Sequence, residues 1–168
     1  MPPGASRHTA TDDYRAKVEC EIARLAHRIR PTGVLLPLGD PLSGVMLVVE
    51  QPAGERTLDA LTRSLRAVNL PNAYVTFAST DSLLQEILAA EPHVLAAIGP
   101  GAAAAIDLLD YPLARARFAE ATEGEPFLWT KGTLGLRLPP LTPALHDEAA
   151  KRHFWRSFLA LKAIHHTT

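Results

Sequence analysis

The chain has 168 residues, 47% of them hydrophobic and 21% charged, which suits one domain with a sizeable core and excludes wholesale disorder. A formal net charge of −1 excludes a protein whose main task is tight, non-specific DNA binding, so any nucleic-acid contact must come from a local patch. No apolar run approaches the ~20 residues of a membrane-spanning helix.

Residues 1–10 read as a flexible tail, and residues 1–11 (MPPGASRHTAT) hold no hydrophobic stretch of the kind a secretory leader needs. Thr11 is the expected N-cap of a helix over 11–30, with Asp12 and Asp13 in its first turn. Tyr14, Val18, Ile22, Leu25 and Ile29 recur at helical intervals and form one apolar stripe. The stripe packs either on the chain's own domain or on a protein partner. Cys20, the single cysteine, excludes an internal disulfide and a Cys-ligated zinc or iron–sulfur centre within one chain. Together these features point to the cytoplasm, and no cofactor is expected.

Pro31, Gly33, Pro37, Gly39, Pro41 and Gly44 make residues 31–44 a linker loop. From there strands and helices alternate. Residues 45–49 (VMLVV) form a continuous apolar run, the pattern of a strand buried on both faces. Leu58, Leu61, Leu65 and Val68 mark a helix that begins near 57. Residues 73–78 (AYVTFA) are rich in strand formers. Thr80 is the expected cap of a helix carrying Leu83, Leu84, Ile87 and Leu88. Residues 94–98 are a third apolar strand, and Gly99-Pro100-Gly101 turns into an alanine-rich helix over 102–109. Further along, 113–121 reads as a helix and 124–126 as a turn. Residues 127–129 and 134–138 read as strands joined through Lys131-Gly132, and 147–164 as a last helix with Phe154, Phe158 and Leu161 inward.

Such alternation predicts a three-layer αβα domain over 11–168 around a short central parallel sheet. Ligands in sheets of this kind bind at the carboxyl ends of the strands, here 50–55, 78–80 and 99–101. Glu50 and Glu55 flank Gln51 in the first of these loops, where a carboxylate either orients a water as a base or simply faces solvent. The amides of Gly99-Pro100-Gly101 either hold an anion or serve only a tight turn, and they lack both the Walker lysine and the GxGxxG spacing. Lys151, Arg152, Arg156 and Lys162 make one side of the last helix basic, as a solvated face or a phosphate-facing patch. The histidines of the last 25 residues show no convergent ligand spacing, so no metal site is expected, and no serine stands in a GxSxG context.

Four segments carry a family resemblance spanning roughly residues 45–164. VMLVVEQPAGE (45–55) resembles the first motif of the uracil-DNA glycosylase superfamily. AYVTFAS (73–79) resembles its second strand. LLQEILAAEPHVLAAIGPGAAAAI (83–106) is similar to the helix, acidic-Pro, strand and alanine-helix run of that family. LRLPPLTPALHDEAAKRHFWRSFLAL (136–161) resembles its last strand, loop and terminal helix.

The resemblance implies a glycosylase-like fold with its base-reading residues lost. Val49 stands where the family has glycine, and the chain passes from Glu55 into a helix without the stacking segment. Phe77 or Ala78 replaces the asparagine that reads the uracil edge, and Thr142 before Pro143 replaces the histidine that steadies the departing anion. Excision needs oriented hydrogen bonds and a stacking surface around an extruded base, so catalysis is not expected.

The shortened first loop and LPPLTPALHD also resemble the psi subunits of the bacterial DNA polymerase III clamp loader, a non-catalytic branch. That likeness implies protein partners in replication or repair, with the stripe from Tyr14 to Ile29 as docking element. Any binding residues are expected at the strand ends and at the glycosylase-like motif positions, namely Glu50, Gln51, Glu55, Phe77, Gly99, Gly101 and Thr142. Two alternatives remain open: a divergent uracil or mismatch glycosylase using Glu50 and His146, and a DNA-binding module using Lys151, Arg152 and Arg156.

Overall fold

The structure, a computed structural model, describes residues 9–29, 36–51, 53–79 and 81–165. The helix α1 (Ala10–Ile29) leads into β1 (Val45–Val49), α2 (Glu55–Ala67), β2 (Tyr74–Phe77), α3 (Leu83–Ala90), β3 (Val94–Ile98) and α4 (Pro100–Leu108). The hairpin β4 (Phe127–Thr130) and β5 (Thr133–Leu138) follows, then the short α5 (Leu141–Ala144) and α6 (Glu148–His165).

The strands form one mixed sheet in the order β2-β1-β3-β5-β4. β1, β2, β3 and β5 run parallel, and β4 returns antiparallel along β5. Every residue of β1, β2 and β3 is buried, as continuous apolar runs predict for strands covered on both faces. Alternate side chains feed opposite layers. Leu47, Val49, Phe77 and Ile98 join Leu61 and Leu65 of α2 and Phe154, Phe158 and Leu161 of α6 on one face. Met46, Val48 and Leu95 join Leu83 and Ile87 of α3 and Ala102, Ala103 and Ile106 of α4 on the other. The architecture is therefore α/β with helices on both sides of a mostly parallel sheet.

Both sheet edges are covered. Leu38 exchanges backbone hydrogen bonds of 2.9 and 2.8 Å with Val75 of β2, and the Arg115 amide donates to the Trp129 carbonyl of β4 at 2.7 Å. Closing an edge in this way removes a template for pairing with other chains.

Several expectations are corrected. The first helix is capped by Thr9, not Thr11. The Thr9 hydroxyl accepts from the Asp12 amide at 3.2 Å while Asp12 Oδ2 accepts from the Thr9 amide at 3.0 Å, a reciprocal box. Ala10 thus belongs to α1, with Thr9 as its cap; residues 1–8 of the expected tail, residue 30 of the expected helix, 31–35 of the expected linker, and Thr80 lie outside the described residues. The helix of Leu58 to Val68 starts two residues early, at Glu55, and α4 starts at Pro100, where a missing N–H costs nothing.

The expected helix over 113–121 is absent. Its place is taken by turns and one 3-10 turn, Phe118–Glu120. Side chains from elsewhere have taken the backbone groups a helix would use. Asp107 accepts from the Phe118 and Ala119 amides at 2.8 and 2.9 Å, and Arg137 donates to the Ala119 carbonyl at 2.8 Å. Only Phe118 of this stretch is buried, in an aromatic group with Phe127 and Trp129, whereas Leu113 is 68% exposed.

Candidate functional site

The tips of β1 and β3 meet because the two strands are neighbours in exact register, Val49 beside Ile98. Beyond the paired residues the Glu50 amide donates to the Ile98 carbonyl at 3.2 Å and the Gly99 amide to the Leu138 carbonyl at 3.0 Å. This stitching brings the half-buried Glu50 side chain against the start of α4. The Gly101 amide donates to Glu50 Oε2 at 2.8 Å, so a carboxylate is seated at the positive end of the helix.

The two glycines are what make the seat. Gly99 has φ of +90°, and a Cβ there would collide with the Glu50 carboxylate. A Cβ at Gly101 would lie 3.0 Å from Glu50 Oε2. The anion at this turn is therefore the chain's own glutamate, held by the Gly101 amide. Glu50 is half-buried with one carboxylate oxygen bonded to the Gly101 amide, rather than a wholly solvated loop acid.

Gln51 turns its Oε1 to accept the Ala53 amide at 3.1 Å, and its buried Nε2 has no hydrogen-bond partner among the described residues. Glu55 is exposed in the first turn of α2. Phe77, the last residue of β2, is fully buried in the core beneath α2 and α6, so its ring offers no exposed face. Thr142 is exposed in α5 and His146 is exposed in the turn after it, its amide donating to the Pro143 carbonyl. Among the described residues no hydrogen bond or ion pair links Glu50 to Thr142 or His146. The structure thus joins Glu50, Gly99 and Gly101.

The α1 stripe is mostly used inside the molecule. Val18 and Leu25 are buried, Ile22 packs against the cluster built by α3 and α4, and α1 lies along α3. Val18 and Leu25 are therefore not available as docking residues, because that part of the apolar face of α1 is covered by its own domain. Tyr14 is 45% exposed and its hydroxyl donates to Glu91 at the end of α3 at 3.2 Å. The side chain of Ile29 lies outside the described residues. Lys151, Arg152 and Arg156 are exposed on α6. Among the described residues no three His, Cys, Asp or Glu side chains converge on a point where a metal could sit, and no helix is long and apolar enough to cross a membrane.

One buried polar group escaped the sequence reading. Glu86 is fully buried and accepts from the Tyr74 hydroxyl at 2.6 Å and the Thr76 hydroxyl at 2.9 Å. Burial, then the Glu86 charge and its hydrogen bond, push the Tyr74 phenol far above its ordinary range. The signal was present, since Leu83, Glu86, Ile87 and Ala90 share the inward face of α3. This group ties α3 to β2 within one layer.

No known family model and no curated protein matches the chain.

Proposed function

We propose that the chain is a non-catalytic, cytoplasmic protein of uracil-DNA glycosylase-like fold that acts through protein–protein contacts in DNA replication or repair, in the manner of a psi-like clamp-loader accessory subunit. The parallel order β2-β1-β3-β5, with an acid at the tip of β1 and a glycine turn at the tip of β3, supports the kinship. The seating of Glu50 on the Gly101 amide carries the non-catalytic half. An excising enzyme aims its acid at a water beside the extruded nucleotide and stacks the base on an aromatic ring. Here the acid is drawn into the Gly99–Gly101 turn and Phe77 is sealed in the core. Between Glu50 and the start of α2 at Glu55 only four residues intervene, too few for a stacking segment.

Two measurements test this. Uracil-containing single- and double-stranded DNA incubated with the purified protein should release no base above a protein-free control. Gel filtration with purified clamp-loader subunits of the same host should show co-elution. Base release that is abolished by Glu50→Ala would overturn the non-catalytic half, and separate elution from every clamp-loader subunit would overturn the other.

A further inference from the structure

α6 turns Phe154, Phe158, Leu161 and Ile164 inward. Along one flank of that face Lys151, Trp155, Leu159 and Lys162 follow at spacings of four, four and three, which places them in one row along the helix. Arg152 and Arg156 run beside that row. Trp155 is 37% and Leu159 40% exposed, so two large apolar side chains stand next to each other in water, ringed by cations. After Glu148 in the first turn, α6 carries no Asp or Glu. Among the described residues, none of Lys151, Arg152, Arg156 and Lys162 forms an ion pair. On the far flank His153 meets Glu123 at 2.7 Å and takes no part in the row.

We propose that this face of α6 docks an acidic amphipathic helix of a partner protein, with Trp155 and Leu159 as apolar anchors and the four cations facing carboxylates along the partner's flanks. The proposal rests on the protein-binding reading above and names its surface. The row spans about 16 Å, the length of three helical turns, which suits side-by-side packing of two helices. Aromatic anchors supply most of the energy of such contacts, while opposite charge at the rim selects the partner and speeds encounter. A surface that tracks single-stranded nucleic acid offers successive stacking rings. Here Trp155 is followed by Leu159, which has no ring face to offer a base.

The test uses the full chain and three labelled probes followed by fluorescence anisotropy at low salt. The probes are a helical peptide of about three heptads with leucine at a and d and glutamate at e and g, the same peptide with glutamine for glutamate, and a single-stranded oligothymidylate. The acidic peptide should bind, and the glutamine peptide should bind roughly tenfold more weakly. Trp155→Ala should weaken the acidic peptide too, but Trp155 stacks on Phe158, so its loss can disturb folding. The deciding variant is Arg152→Glu/Arg156→Glu, at exposed positions, with an unchanged far-UV spectrum; it should lose about tenfold or more in affinity for the acidic peptide. Absence of peptide binding, or equal binding by that variant, overturns the proposal. So does tighter binding of the oligothymidylate than of the peptide. None of these outcomes touches the non-catalytic reading, which stands or falls on base release.

Discussion

At the scale of single residues, the contact between Glu50 and the Gly99–Gly101 turn fixes the character of the strand tips. Gly99 needs its glycine twice, for a backbone at φ +90° and ψ 159° and for the space the carboxylate fills. Gly99→Ala should therefore cost roughly 2–4 kcal/mol in urea denaturation, combining backbone strain with the collision. Glu50→Ala in the same protein removes the collision and leaves the strain, so a double-mutant cycle should show a coupling of about 1 kcal/mol or more. Strictly additive effects would mean that the carboxylate does not sit in the turn. Tyr74 gives a second case. Its phenol is raised above the ordinary value of 10.0, so its stabilising contribution is complete below that pH and is lost as pH climbs beyond it. Of the tyrosines Tyr14, Tyr74 and Tyr111, absorbance titration should find Tyr74 silent until the chain unfolds in alkali. Tyr74→Phe should flatten that alkaline loss and cost about 1–3 kcal/mol at neutral pH, because buried Glu86 loses a donor at 2.6 Å. An early-titrating Tyr74 would contradict the buried contact.

Secondary-structure elements were legible wherever local pattern and tertiary environment agree. Residues 45–49 and 94–98 form strands buried on both faces and read as such, because nothing polar interrupts them. The inward row Phe154, Phe158 and Leu161 was equally plain. The stretch 113–121 failed because its alanines, Leu113 and Phe118 mimic a helix, while the deciding partners lie outside it in sequence. Asp107 holds the Phe118 and Ala119 amides, and Asp110, at φ of 49°, turns the chain away from a helical path. The candidate site was half legible for a related reason. Glu50 and the glycine turn were each visible at a strand end, but their union spans 51 residues and depends on β1 and β3 being neighbours. Asp107→Ala tests the account of the misread element. Its carboxylate is 95% shielded and accepts two backbone amides, so the substitution should cost roughly 2–3 kcal/mol and speed hydrogen exchange at Phe118 and Ala119. Unchanged exchange at those amides would mean that the turn is held by something else.

For the whole molecule, the decisive feature is one sheet shared by two separate apolar clusters. The residues of β1 alternate between them, Leu47 and Val49 to one side, Met46 and Val48 to the other, so neither layer can open without exposing strands the other needs. The two tryptophans report on these layers independently. Trp129 is buried with Phe118 on the α3–α4 face, and Trp155 stacks on Phe158 of α6 on the opposite face. Trp155→Phe leaves a protein whose fluorescence follows only the first layer; Trp129→Phe leaves one that follows only the second. In each variant the midpoint of urea unfolding by fluorescence should coincide with the midpoint by far-UV circular dichroism of the same protein. Trp129→Phe should shift both midpoints down by an equal amount, since a smaller ring in a nearly sealed site leaves a void. Trp155→Phe, at a position 37% exposed, should shift them less. If instead the Trp155 signal changes at lower urea than the dichroism, the α6 layer is a separate unit that peels from the sheet. A partner helix seated on α6 would then stabilise that layer alone rather than the whole domain.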